Sequence, residues 1–127
     1  MRKIVIGFGI CAVLTAGVLW AQNDEFDGWM QTIDQKNQSV QANIAAKDAK
    51  AATEDAKALR DTFKLVEGFW TKRGNAPDGV QLSQQAQEAA GAVLKSIEAK
   101  DFDAAAAQSI KVAQTCTSCH RLYRPLS

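Results

Sequence analysis

The chain has 127 residues, a length that suits one domain. Lys and Arg number 15 against 14 Asp and Glu, so there is no basic excess to neutralise a run of phosphates, and no nucleic-acid partner is expected. Alanine is abundant, aromatic residues make up 7% and prolines number two, so long stretches are free to be helical and the composition reads all-α.

Residues 1–21 read as an address rather than a structure. Arg2 and Lys3 give a positive start, Ile4 to Trp20 is uncharged and mostly apolar, and Ala21 offers a small residue for a signal peptidase. The expectation is a signal peptide over 1–21 and an exported, periplasmic domain over 22–127 with no membrane span in its mature form. An uncleaved anchor is the competing reading, because the apolar run lies at the lower edge of what spans a bilayer. Cys11 sits mid-segment behind "GFGI", without the small residues that precede a lipidated cysteine, and leaves with the signal. Cleavage also removes two basic residues, so the mature side chains carry a net charge of about minus one.

The remainder divides into four helical segments. From about Asp24 to Ala46, the residues Phe26, Met30, Ile33, Asn37, Val40 and Ile44 form one seam with 4-3-4 spacing, which Asn37 interrupts either to fix helix register or to hydrogen-bond locally. From Asp48 to Lys72, a matching stripe runs through Ala52, Ala56, Leu59, Phe63, Val66 and Trp70, small residues first and large aromatics last. "RGNAPDGV" at 73–80 concentrates turn formers and offers Asp78 as the cap of a third helix. That helix, from about Val80 to Ala99, carries Leu82, Ala86, Ala90, Val93, Leu94 and Ile97 on one face. After "AKD" at 99–101, a fourth begins near Phe102, runs through Ala106, Ile110 and Ala113, and stops before Pro125. Four amphipathic helices with short joints predict an antiparallel four-helix bundle. The strip of Lys47, Lys50, Lys57 and Lys64 reads as a solvated face.

The fourth segment ends in "QTCTSCHRLYR", which holds the single histidine of the chain. A thioredoxin-type dithiol works at a helix N-terminus beside a strand, whereas Cys116 sits at a helix's C-terminal end in a chain without strand patterns. A zinc site wants four ligands, and Cys116, Cys119 and His120 would need a carboxylate to complete it. A disulfide within one helix closes a small, strained ring. Haem c needs these residue types at these spacings: each thiol adds across one vinyl group, and the imidazole that follows swings under the ring to bind iron. Cys116, Cys119 and His120 share one helical face, and attachment of this kind takes place outside the cytoplasm, in agreement with export.

A haem motif near the C-terminus with four helices before it resembles the cytochrome c-prime family, the class II cytochromes c. The residues that carry the resemblance are "CTSCHRLYR", the "DGWMQTI" stretch of the first helix and "KDFDAAAAQS" leading into the last. The resemblance implies an up-down-up-down bundle with one covalent haem c between the first and last helices, and a homodimer through the first two. It places Met30 opposite His120 across the iron. If the Met30 thioether binds, the iron is six-coordinate and low-spin and the protein is an electron carrier for redox partner proteins. If Met30 only packs, as a methionine in a seam commonly does, the iron is five-coordinate and a diatomic gas such as nitric oxide enters. Arg124, on the face of His120, is expected either to pair with a haem propionate, the reading favoured, or to stay solvated at the fraying end of the helix. Trp29, Phe63, Trp70 and Tyr123 are expected to wall the ring or the core, with Phe69 at the margin. Phe26 stands where many family members carry an arginine near the haem edge. No acid and base pair is recognisable around the expected pocket, so no enzyme activity is expected.

Overall fold

The computed structural model describes residues 2–123, with side chains from Asp24 onward. Arg124 and the side chains of the leader expected at 1–21 lie outside it. The described residues form four helices and no strand: α1 (Arg2–Ala45), α2 (Ala49–Arg73), α3 (Pro77–Glu98) and α4 (Phe102–Tyr123). Each packs on the next and α4 closes on α1, the loosest of the four pairings. Phe26 meets Phe69 while Asn43 meets Asp55, so α1 and α2 run antiparallel, and the chain reverses again at each later joint. Among the described residues no helix is long and apolar enough to cross a membrane.

Two of the three joints are built alike, from the same tripeptide. At Ala46-Lys47-Asp48, Lys47 takes a left-handed φ of 58°, its N–H donates to Ile44 O at 3.0 Å, and the Asp48 N–H donates to Asn43 O at 2.9 Å. At Ala99-Lys100-Asp101, Lys100 has φ 59° and the matching bonds reach Ile97 O and Ser96 O. The aspartate then caps the next helix: Asp48 Oδ1 accepts from Ala51 N at 3.1 Å, and Asp101 Oδ1 from Ala104 N at 3.0 Å. The middle joint uses Gly74 and Asn75, both at positive φ. There the expected cap moves: Pro77, with φ already set for a helix, opens α3, so Ala76 is the N-cap and Asp78 lies inside the first turn.

All six residues of the expected α2 stripe are buried, as are Ile33, Val40 and Ile44 of α1 and Ala86, Ala90, Val93 and Ile97 of α3. The four lysines of the expected strip are exposed. On α4 the expected face is rotated by about one residue: Ala105, Ser109 and Val112 are buried, while Ile110 is 52% exposed. The small residues Ala52, Ala56 and Ala105 occupy the end of the bundle where the two Ala-Lys-Asp joints lie. The large rings of Phe26, Phe69, Trp70 and Tyr123 fill the other end. Because helix separation follows side-chain size, this taper leaves room toward the aromatic end.

One charged group lies inside the core. Asp55, 4% exposed, accepts from Ser39 Oγ at 2.7 Å, from Asn43 Nδ2 at 2.7 Å and from Lys36 Nζ at 3.4 Å. Three donors from α1 thus converge on one carboxylate of α2 and fix the register of that pair. Asn37, expected to set register or bond locally, has its Oδ1 buried with no partner among the described residues.

Candidate functional site

Helical spacing brings four of the predicted residues to one place. On α4, Cys116, Cys119 and His120 lie on a single face, and on α1 Met30, Ile33, Asp34 and Asn37 do the same through i, i+3, i+4 and i+7 spacing. The two faces line one cavity of about 70 Å³. Phe63 and Val66 of α2 close one wall, and Leu82 and Ser83 of α3 close another. The lining is mainly apolar. Met30, Cys116 and Cys119 are half-buried, and His120 stands exposed at the rim.

Burial pushes the Cys116 thiol up to about 11, with the neighbouring Cys119 and Asp34 adding to the effect, and burial also raises Cys119. Both sulfurs are free thiols. Near neutral pH they are protonated, the opposite of the thiolate that a dithiol exchange centre depends on. Among the described residues no group of three or more His, Cys, Asp and Glu side chains is placed to hold a bare metal ion.

The donor set suits a flat, apolar, iron-bearing guest better: two thiols one turn apart, an imidazole beside them, a thioether on the facing helix, and hydrophobic walls. The Asn37 Oδ1 in the same lining, buried without a partner among the described residues, is a polar atom left over for a guest or a water. The cavity is smaller than a porphyrin, and its two donor-bearing walls belong to α1 and α4, the pair that interlocks least.

The other predicted residues divide between the lining and the bundle end beside it. Phe63 lines the cavity, but Trp29 does not; its ring meets Phe26 edge-on at 6.3 Å. Phe26 also contacts Phe69 at 4.4 Å and Trp70 at 5.8 Å, so the position where an arginine was compared is filled by an aromatic cluster. Trp70 stacks on Tyr123 at 4.3 Å. Phe26, Trp70 and Tyr123 stand one helical turn from the lining residues Met30, Val66 and Cys119. Ser83, Thr115 and Asp34 were not foreseen as lining, although Asp34 shares the helical face of Met30. No family model, no curated protein and no solved structure matches the chain.

Proposed function

We propose that residues 22–127 act as a periplasmic c-type cytochrome of the cytochrome c-prime type, an electron-transfer protein with one covalent haem c and His120 and Met30 as axial ligands. The observation that carries this reading is the shared cavity, lined from α4 by Cys116, Cys119 and His120 and from α1 by Met30. When bound, haem supplies a one-electron iron couple. The Cys116 and Cys119 thiols would hold it through thioether links. His120 and Met30 would hold the iron, and the Met30 thioether would raise its reduction potential. Ile33, Phe63, Val66 and Leu82 keep water from the ring and so disfavour the more highly charged oxidised form. Pairing of Arg124 with a propionate, export after Ala21 and a homodimer belong to the same proposal.

Expression of the full chain in a host that attaches haem tests it. The expected product is coloured, heavier than the mature polypeptide by one haem, and keeps its pigment in acidified organic solvent. A colourless protein, or pigment that extracts, refutes it. Rapid binding of carbon monoxide to the ferrous form would transfer the assignment to the five-coordinate, gas-binding reading.

A further inference from the structure

We infer that Tyr123 is a positioning residue for His120, acting through a clasp that joins the last turn of α4 to α2 and α3; the inference rests on the haem reading above. Tyr123 lies three residues beyond His120 and four beyond Cys119, on their side of the helix. Its ring stacks on Trp70 with centroids 4.3 Å apart and planes 28° from parallel. Its hydroxyl accepts a hydrogen bond from the Gly79 N–H at 3.0 Å, across 44 residues of sequence.

Each partner is fixed independently. Trp70 is 3% exposed, and a Cβ on Gly79 would come within 2.7 Å of its Cγ and Cδ2, so the indole lies directly against the α3 backbone and only glycine allows it. The N-cap Ala76 supplies no side-chain acceptor to the first turn of α3, and Tyr123 takes over one of those unpaired donors. Trp70 is therefore held between Gly79 and Tyr123. Among the described residues, the hydroxyls of Thr115 and Thr117 bond only within α4, and no side-chain hydrogen bond from Cys116 to Leu122 reaches another helix. Among the described residues, Tyr123 is thus the side-chain hydrogen-bond tie between the motif-bearing turns and the rest of the bundle. A residue that fixes the rotation and tilt of this turn fixes the plane of the imidazole one turn back.

The test compares wild type, Tyr123→Phe and Tyr123→Leu as haem-loaded proteins. Tyr123→Phe keeps the stack and loses the hydrogen bond, so exchange of the Gly79 amide hydrogen should accelerate about 3- to 10-fold, as for one lost neutral bond. The ferric electron paramagnetic resonance g-values should shift in both variants, more in Tyr123→Leu, with one haem per chain retained in Tyr123→Phe. If Tyr123→Leu fails to load, Tyr123→Phe decides alone. Unmoved g-values beside a lowered melting temperature reduce Tyr123 to a structural role and overturn the inference, as does unchanged exchange at Gly79. A wild-type chain that carries no haem instead sinks the haem reading and this inference with it.

Discussion

Replacing Asp55 with Ala probes the one charged residue that is buried among the described residues. The substitution removes an acceptor and leaves Ser39 Oγ and Asn43 Nδ2, each 2.7 Å from the lost oxygen, facing a gap. A donor left unsatisfied costs about 1–3 kcal/mol when buried; both of these are half-buried and Asn43 Nδ2 keeps a long 3.3 Å bond to Ser39 Oγ, so about 2–3 kcal/mol is expected for the pair. Lys36 adds little: its side chain is 41% exposed, its contact is a long 3.4 Å, and it can turn to water, as for surface pairs worth about 0–1 kcal/mol. Urea unfolding should show the midpoint falling with an unchanged slope, and the melting temperature should drop by about 10 °C or more for a domain of this size. Asp55→Leu combined with Ser39→Ala and Asn43→Leu should recover much of the loss, because both half-buried donors are removed and the remaining partner, Lys36, turns to water. A cost below about 0.5 kcal/mol for Asp55→Ala, within the range of an ordinary surface change, would refute the argument that this carboxylate pins α1 to α2.

Met30→Ala in the haem-loaded protein should turn a low-spin optical spectrum high-spin, and an unchanged spectrum removes Met30 from the iron. Gly79→Ala should destabilise by about 1–3 kcal/mol in chemical denaturation, because the new methyl group meets the Trp70 ring at 2.7 Å and the buried indole has nowhere to yield. Lys100→Gly should stabilise by up to about 1 kcal/mol in the same assay, since glycine takes φ 59° without the strain of a Cβ. Glu67 accepts from Gln87 at 2.7 Å and Gln84 at 3.1 Å, and these bonds, helped by Lys64, hold its carboxyl below the usual 4.5. A lowered folded-state value means its contribution is present above pH 4.5 and fades as acid takes pH below it, so Glu67→Gln should flatten the acid limb of a stability-against-pH curve.

The parts of the fold that were legible are those where apolar size alternates sharply with charge. In α2, Leu59, Phe63, Val66 and Trp70 stand out from the lysines around them, and all are buried as expected. In α4 the run Ala104–Ala107 has no such contrast, so a rotation of one residue changes little in the pattern, and Ile110 was assigned to a face that leaves it exposed. Asp55 is not legible as core because a charged residue reads as surface, although it continues the i, i+3 step from Ala52 and precedes Ala56 on the buried side. At the site, the spacing within α4 gathered the two cysteines and the histidine, and the α1 seam gave Met30. The walls from α2 and α3, and the contact of Tyr123 with Gly79, depend on how separate helices meet, which one-dimensional periodicity does not encode.

Asp48 ends α1 and begins α2 within a single residue, and Asp101 does the same for α3 and α4. Neither junction holds any slack. One inserted amino acid would turn the downstream helix by about 100° relative to the helix before it and carry its inward face to solvent. Length variation is therefore barred from these two corners, and any homologous chain that keeps this arrangement should absorb its insertions between α2 and α3 instead.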